Sequence, residues 1–289
     1  MIGLDRFPGG GWDFASPSGL APLGGAAMIG YRNYDAAGLD MRVVGLPAVT
    51  ALIGFGENDL LVDSTTGRQA LNGFVCGLGS ETMRIRAERA ACIEVRLSPV
   101  QAYSLLGVGP GDLGRAVVGL DDLWGRRGRR LRERIADTPT WEQRFALARS
   151  FLVQRAESSR PPDPEVVASW NRIVGCRGQV TVGELAESSG WSRKRLWARF
   201  GAQIGLTPKR AAMLVRFRHA VEGLVAGRPA ADVAVSCGYT DQAHLSRDVA
   251  SFAGVTPGAV AGETLSAVAK RRQRAWGTFF QYRAGPPGR

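Results

Sequence analysis

The sequence predicts an α+β protein whose N-terminal half is rich in β-strands and whose C-terminal half is all α-helical. Short apolar runs separated by turn residues fill residues 25–97, and they favour an antiparallel sandwich or barrel. After Ser98 the apolar spacing changes to the period of a helix. Two similar segments, residues 185–200 and 233–249, then indicate a pair of helix-turn-helix units.

The composition is that of a folded protein with a strongly basic C-terminal half. Of 289 residues 45% are apolar, and the formal net charge is +11. Residues 1–160 contain 19 basic and 17 acidic side chains, whereas residues 161–289 contain 18 and 9. This asymmetry predicts a polyanionic partner for the basic half. Nucleic acid is favoured over an anionic membrane, because no clean apolar face accompanies the charge.

The sequence predicts a cytoplasmic protein without a metal or cofactor. The N-terminus has no signal-peptide pattern, and no apolar run is long enough to span a membrane. The only histidines are His219, expected to be solvated or packed, and His244. None of the four cysteines is at C-x-x-C spacing, which argues against a zinc site or a disulfide framework. We expect these cysteines to be small buried side chains: Cys76, Cys92, Cys176 and Cys237.

The elements are expected in the following order along the chain. Residues 1–24 are rich in glycine and proline and are predicted to be irregular. Strand-like runs follow at residues 25–32, 40–47, 48–55, 59–63, 70–78, 82–86 and 91–98. Ser98 and Pro99 begin a short helix, and Thr140 caps a longer helix within residues 138–156. Residues 157–164, ESSRPPDP, are predicted to be a linker, because three prolines oppose both helix and sheet.

The C-terminal half contains an internal repeat. At an offset of 48 residues, Ala186 and Gly190 match Ala234 and Gly238. Beyond the turn the offset is 49, and it pairs Leu196 with Leu245, Phe200 with Val249, Gly205 with Gly254, Thr207 with Thr256 and Pro208 with Pro257. A small alanine lets two helices cross closely, and a glycine adopts the positive φ of the turn. Ala186 and Gly190 are therefore predicted to form the structural turn of the first unit, and Ala234 and Gly238 that of the second.

Capping residues mark where the helices of the repeat begin. Thr181 and Glu184 have the spacing of a capping box, and Ser192 is expected to cap the next helix. In the second copy either Thr240 or Asp241 has this role. Thr207 is predicted to start the long helix over residues 208–226 that connects the two units. An inert helical bundle is the alternative interpretation, but two copies in register on the basic half favour DNA binding.

Residues 165–262 resemble the DNA-binding domain of AraC/XylS transcription regulators, which has two helix-turn-helix units joined by one long helix. The most specific part is GYTDQAHLSRDVASFAGVTP, residues 238–257, which departs from the family pattern at Val249, where phenylalanine is usual. The resemblance implies an effector-binding or dimerisation domain over residues 1–156, with a cupin-like sandwich or barrel. It also implies a DNA-binding domain over residues 165–264, followed by a basic tail over residues 265–289.

A helix-turn-helix unit places its second helix in the major groove, so the outward side chains of that helix are the candidate base contacts. With Leu196 and Phe200 facing inward, the first unit presents Arg193, Lys194, Trp197 and Ala198. The second unit presents Gln242, Ala243, His244, Ser246 and Arg247. Arginine and lysine pair with guanine and glutamine with adenine, whereas Trp197 and His244 have packing as an alternative role. Thr181 and Thr207 are candidate phosphate anchors at helix N-termini.

The predicted function is a bacterial transcription regulator that binds double-stranded DNA in a sequence-specific way and has no enzymatic activity. The resemblance implies a homodimer and a small-molecule effector, and RNA polymerase is a further candidate partner. Two alternatives belong to other classes. One is a DNA-repair or other enzyme carrying such a module, which would need a reactive cysteine in a Cys/His setting. The other is an architectural DNA binder without sequence preference, which would show a specificity ratio near one.

Overall fold

The structure of the protein, a computed structural model, describes residues 5–6, 11–17, 26–34, 39–43, 47–57, 59–64, 67–78, 83–106, 109, 113 and 117–262. The strands are β1 (Asp5–Arg6), β2 (Trp12–Ala15), β3 (Ala26–Asn33), β4 (Leu39–Val43), β5 (Val49–Gly54), β6 (Leu60–Ser64), β7 (Gly67–Leu71), β8 (Gly73–Cys76), β9 (Met83–Ala87), β10 (Ala91–Leu97) and β11 (Val117–Gly119). The helices are α1 (Pro99–Leu105), α2 (Leu120–Asp137), α3 (Trp141–Glu157), α4 (Pro164–Gly175), α5 (Val182–Ser189), α6 (Arg193–Ile204), α7 (Pro208–Val225), α8 (Ala230–Ser236), α9 (Gln242–Ala253) and α10 (Pro257–Gly262).

The N-terminal strands form two antiparallel sheets, so the predicted β-rich half is confirmed. One sheet has the strand order β1-β2-β3-β10-β5-β8-β11, and the other has the order β4-β9-β6-β7. The expectation of an irregular segment over residues 1–24 is wrong at β1 and β2. Phe14 of β2 lies opposite Tyr31 of β3 and is buried, so sheet pairing and burial outweigh the surrounding glycines.

The larger sheet is the middle of three layers. Its face toward the smaller sheet contributes Ile29, Tyr31 and Phe74 to one apolar cluster, which also contains Val62 and Ile85 of the smaller sheet. Its opposite face belongs to a second cluster that includes residues of α1, α2 and α3. The alternation of side chains along β10 explains this division, because successive residues of a strand point to opposite faces.

Glu94 of β10 is a buried carboxylate, although charged side chains are usually found at solvated turns and edges. The side chain is fully buried, and Arg96 Nε donates a hydrogen bond to its carboxylate at 2.9 Å. A buried carboxylate of this kind needs a charged partner, and Arg96, two residues along the same strand face, supplies it. The sequence pattern could not show this, since a charged residue in a central strand resembles one at an edge.

The helices continue the core without a break into the C-terminal half. The cluster on the helix-covered face of the larger sheet also contains Trp170 of α4, Phe200 of α6 and Phe217 of α7. Helix α1 packs against both α4 and α6. Ser98 accepts a hydrogen bond from the Gln101 N–H and caps α1, as predicted. None of the described helices is long and apolar enough to cross a membrane, and the predicted basic tail lies outside the described residues.

Candidate nucleic-acid interface

The two copies of the sequence repeat have the same backbone geometry at their turns. Gly190 and Gly238 both adopt the left-handed region, with φ of 65° and 72°. The N–H of the residue after each glycine donates to the carbonyl of the matched alanine, from Trp191 at 3.2 Å and from Tyr239 at 2.9 Å. Both alanines are buried. The glycine supplies the positive φ at low steric cost, which is why the turn contains one in each copy.

The helices after the turns begin and end alike. Ser192 Oγ accepts from the Arg195 N–H at 3.2 Å to cap α6, and Asp241 caps α9 by accepting from the His244 N–H at 2.6 Å. Asp241, rather than Thr240, is therefore the cap of the second copy. Both helices end at a left-handed glycine, Gly205 or Gly254, with φ of 88° and 67°. The structure thus repeats the whole unit from cap to cap.

The inward faces of the second helices are completely buried. Leu196 and Phe200 of α6, and Leu245 and Val249 of α9, have no exposed surface. Val249 is smaller than the phenylalanine at the matched position in the first copy. The second unit also buries Phe252, whose ring stacks on Phe217 of α7 at a centroid distance of 5.1 Å.

The outward face of α6 contains the four residues predicted to contact DNA. Arg193, Lys194, Trp197 and Ala198 are all exposed, and 59% of the Trp197 surface is accessible. The guanidinium of Arg193 also approaches the first turn of α5, with Nη2 3.2 Å from the position that a Cβ on Gly183 would occupy. This face combines two cations with a large aromatic ring, which suits contact with phosphates and base edges.

The outward face of α9 is less charged. Gln242, Ala243 and Arg247 are exposed, whereas His244 and Ser246 are half-buried. Within the helix, Ser246 Oγ donates to the Gln242 carbonyl at 2.9 Å, and Arg247 Nε donates to the Ala243 carbonyl at 3.3 Å. The other guanidinium nitrogens of Arg247 make no hydrogen bond with the described residues, so this arginine has donors available for a base or a phosphate.

The third residue of each of these helices packs on the aromatic residue that follows the turn. The Arg195 guanidinium lies over the Trp191 ring at 4.4 Å, and His244 meets the Tyr239 ring edge-on at 5.1 Å. The offset of 49 pairs Arg195 with His244, and this could have been read from the sequence, although Arg195 was not among the predicted site residues. The contact favours the packing role of His244.

The seventh residue of each helix forms an ion pair with the structure behind it. Arg199 of α6 makes a bidentate contact with Asp163, with nitrogen–oxygen distances of 2.6 and 2.7 Å. At the matched position of α9, Asp248 pairs with Arg216 of α7 at 3.3 Å. The hydrogen bonds from Arg199 hold the pKa of Asp163 below its usual value, despite the opposing effect of burial. These pairs are not visible in the sequence, because the partners are 36 and 32 residues apart.

The two predicted phosphate anchors differ in their surroundings. At Thr181 the capping box is complete, and the Glu184 carboxylate accepts from the Thr181 backbone N–H at 2.7 Å. That carboxylate places a negative charge where a phosphate would bind. Thr207 instead caps α7 by accepting from the Arg210 N–H at 3.2 Å, and the first turn of α7 contains no acidic residue. Thr207 is therefore the more suitable anchor on electrostatic grounds.

The described residues contain no group of three or more histidine, cysteine, aspartate and glutamate side chains that could hold a metal ion. Cys76 and Cys92 are buried, as expected, but Cys176 is exposed and Cys237 is half-buried. The expectation of burial is thus wrong for Cys176, which follows the last turn of α4 and lies at its C-cap. His219 lies on α7, and its Nδ1 is 3.3 Å from the Glu222 carboxylate.

Comparison with known proteins assigns this region. The family model described as "Helix-turn-helix domain" matches residues 185–262. A relative from Bacillus subtilis (strain 168), an uncharacterised HTH-type transcriptional regulator named YbfI, is 35% identical over 66 residues. The matched region is 23% of this chain and 24% of that relative, so it spans about a quarter of the relative's length.

Two solved structures match parts of this chain at low identity. ToxT from Vibrio cholerae is 9% identical with a TM-score of 0.47, and the match covers 82% of this chain and 97% of ToxT. The C-terminal domain of AraT, a response regulator from Geobacillus stearothermophilus, is 21% identical with a TM-score of 0.34, covering 36% of this chain and 90% of that domain. Both scores are too low to define a common fold. The sequence match and the repeated geometry together identify residues 185–262 as a helix-turn-helix domain.

Proposed function

We propose that this protein is a transcription regulator that reads two successive major-groove segments of double-stranded DNA, one with each helix-turn-helix unit. The observation that carries the proposal is the repeated unit itself. Each copy buries one face of its second helix completely and presents the opposite face to solvent. An inert bundle has no need of two exposed faces with matched backbone geometry, whereas groove binding requires them.

The connecting helix α7 supports simultaneous binding by both units. It packs against α4, α6, α8, α9 and α10, so both recognition helices contact one rigid element. The mostly buried Arg216–Asp248 pair and the Phe217–Phe252 stack hold α9 to it. Successive major-groove segments on one face of B-DNA are about 34 Å apart, and we propose that α6 and α9 occupy two such segments.

The two units are proposed to read DNA by different chemistry. In the first, Arg193 and Lys194 offer charged donors to guanine or phosphate, and Trp197 offers an apolar surface to a thymine methyl group or a sugar. Ala198 adds no hydrogen bond there. In the second, Gln242 is suited to adenine, and Arg247, at the position matched to Ala198, is suited to guanine or a phosphate. Hydrogen-bonded base readout therefore depends more on the second unit at this position.

The N-terminal half is proposed to regulate DNA binding, through a small molecule or through dimerisation. Residues 1–156 would form this regulatory domain, residues 157–164 the linker and residues 165–264 the DNA-binding domain. RNA polymerase is the further partner that such a regulator would contact at a promoter. The proposed function involves no catalysis, and we expect the protein in the cytoplasm, where the bacterial chromosome lies.

The function is tested by selecting genomic DNA fragments on the purified full-length protein at about 0.15 M salt, near physiological ionic strength. We expect enrichment of one motif with two conserved segments a helical turn apart. Uniform recovery of all fragments would contradict sequence-specific binding. Repeating the selection with residues 165–289 then separates a non-specific binder from a protein whose specificity requires a ligand on the N-terminal half.

Arg247→Ala tests the role of the second unit on the selected motif. We expect specific binding to weaken by roughly 1–3 kcal/mol and the preference at one base pair to relax, because a bidentate base contact is lost. Arg126→Ala, which removes an exposed arginine of α2 in the N-terminal half, is the matched control and should leave affinity unchanged. An equal loss of affinity for all sequences would show that Arg247 contacts a phosphate instead.

A further inference from the structure

Helices α2 and α3 enclose a groove that has no role in the proposed DNA interface. Its volume is about 790 Å³, within the range of small-molecule sites of roughly 300–1,000 Å³. The lining residues follow one face of each helix: Arg127, Arg130, Leu131 and Arg134 from α2, and Leu147, Ser150, Phe151, Gln154 and Arg155 from α3, with Ser158 and Ser159 after it. The groove therefore combines four guanidinium groups with three apolar side chains.

The arginines of this groove lack the carboxylate partners that other arginines of α2 have. Arg129 and Arg132 are 3.9 and 3.1 Å from the Asp121 carboxylate. In the part of the chain that the structure describes, none of the four groove arginines forms an ion pair, and no acidic residue lines the groove. A solvated row of arginines is common on a single exposed helix. Here, however, arginines from two facing helices converge on one concave surface.

Arg155 is the least solvated of the four and is fixed at its position. Its Nη2 donates to the Leu106 carbonyl at 2.9 Å, and its guanidinium lies 5.8 Å from the centre of the Phe151 ring. Its Nε is buried and has no hydrogen-bond acceptor among the described residues. Burial, and then the charge of Arg127, lowers the pKa of this guanidinium from its usual value. An anion beside Arg155 would favour its charged form and so oppose the effects of burial and of the Arg127 charge.

We propose that this groove binds an anionic small molecule with an apolar body, such as an organic carboxylate or a phosphate ester. The anionic group is held by Arg155 and Arg130, since guanidinium groups form charge-assisted bidentate hydrogen bonds with carboxylate and phosphate. The apolar body packs on Leu131, Leu147 and Phe151. A second copy of this chain is disfavoured as the occupant, because pairing two such grooves would bring like charges together.

A ligand in the groove would lie where it can affect the DNA-binding half. This regulatory role rests on the proposed function, whereas ligand binding itself does not. Ser158 and Ser159 are the first residues after α3 and lie on the rim of the groove. Asp163, at the other end of the same segment, is the residue that pairs with Arg199 of α6. A ligand at the rim thus contacts one end of the segment whose other end holds the first recognition helix.

The test uses 8-anilinonaphthalene-1-sulfonate, a fluorescent probe with an anionic group on an aromatic body, titrated into the full-length protein without DNA. N-phenyl-1-naphthylamine, which has the same aromatic body without the sulfonate, is the matched uncharged probe. We expect saturable binding of the sulfonate and much weaker binding of the amine. Arg130→Gln should weaken sulfonate binding about tenfold, because a charge-assisted hydrogen bond is lost. Arg126→Gln, an exposed arginine of α2 outside the groove, should leave it unchanged.

Equal binding of the two probes, or equal effects of the two variants, would overturn the proposal. Both substitutions are at exposed positions, so thermal unfolding of each variant should match the parent protein and exclude misfolding as the cause. Sedimentation and DNA-binding titrations separate the other occupants. If Arg130→Gln changed only the monomer–dimer equilibrium, or only the salt dependence of DNA binding, the groove would be a subunit interface or a DNA contact, and the proposal would be wrong.

Discussion

The turn glycines offer a stringent test of the repeated unit, because Gly190 and Gly238 have the same backbone conformation in different surroundings. At Gly190 φ is 65°, and an added Cβ would meet no atom within 4 Å. At Gly238 φ is 72°, and an added Cβ would lie 2.6–3.0 Å from three side-chain atoms of Gln179. Substitution at Gly190 therefore measures backbone strain alone, whereas substitution at Gly238 measures strain and contact together.

The magnitude of the first effect follows from the conformation. An L-residue in the left-handed region costs about 1–2 kcal/mol, and replacing glycine by alanine recovers about 0.4–1 kcal/mol through the unfolded chain. We therefore expect Gly190→Ala to destabilise the first unit by about 1 kcal/mol. Asparagine tolerates the left-handed region better than alanine does, so Gly190→Asn should cost less although its side chain is larger. This order is specific to a positive φ.

At Gly238 the contact with Gln179 adds a smaller effect. Gln179 is exposed, so its side chain can rotate away at a cost of about 1 kcal/mol or less. We expect Gly238→Ala to destabilise the second unit by about 1–2 kcal/mol. Combining it with Gln179→Ala should reduce this destabilisation to that of Gly190→Ala, because the contact with Gln179 is then absent. The pair of glycines thus separates the strain common to both turns from the contact present at one.

The assay is amide hydrogen exchange followed by mass spectrometry, which reports each unit separately in the full-length protein. Gly190→Ala should accelerate exchange in α5 and α6, and Gly238→Ala in α8 and α9, with urea unfolding as an independent measure. Alanine variants as protected as the parent protein, or a Gly190→Asn variant less stable than Gly190→Ala, would refute the left-handed assignment of these turns.

Three further outcomes are expected. Asp248→Ala should lower the free energy of unfolding in urea by about 3 kcal/mol, because the mostly buried Arg216 loses its partner. A decrease below about 1 kcal/mol, as for an exposed pair, would contradict burial of this pair. The folded-state pKa of Asp163 is lowered, so its ion pair contributes stability above the unfolded pKa of about 3.9 that is lost as pH falls through the folded pKa. Asp163→Asn should remove this part of the acid dependence of thermal unfolding, and an unchanged dependence would exclude the contribution. Burial raises the pKa of the Cys76 thiol to about 11, so iodoacetamide at pH 8 should label the exposed Cys176 before Cys76. Equal labelling rates for the two cysteines, measured by peptide mapping, would place Cys76 at the surface.

Local sequence rules predicted much of the C-terminal half. The alignment of two segments with one inserted residue located both turns, and capping rules identified Ser192 and Thr207 as helix starts. These features depend on residues within one or two helical turns of each other, which is the range over which sequence patterns are informative. The inward positions Leu196 and Leu245 follow from the same period. Which outward residues contact DNA stays a prediction.

The features that the sequence did not reveal depend on distant contacts. Strand β2 and strand β11 are held by pairing with β3 and β8, and neither has a strong apolar alternation of its own. In the sequence Glu94 resembles a surface residue, and its burial follows from the contact with Arg96 and from the covering sheet. The groove between α2 and α3 depends on the packing of two helices whose arginines are unremarkable when each helix is considered alone. In each case tertiary structure determines what a residue contacts.

The two helix-turn-helix units are built alike but are anchored differently, and this difference bears on the proposed regulation. In the second unit Asp248 pairs with α7, an element of the same domain. In the first unit the matched residue, Arg199, pairs with Asp163 at the end of the segment that follows α3, and α6 also packs on α1. Helix α6 therefore contacts α1 and the connecting segment directly, whereas the ion pair of α9 is made with α7. We therefore expect a change in α1 or in the connecting segment to act on the first unit before the second, because Arg199 pairs with that segment and α6 packs on α1.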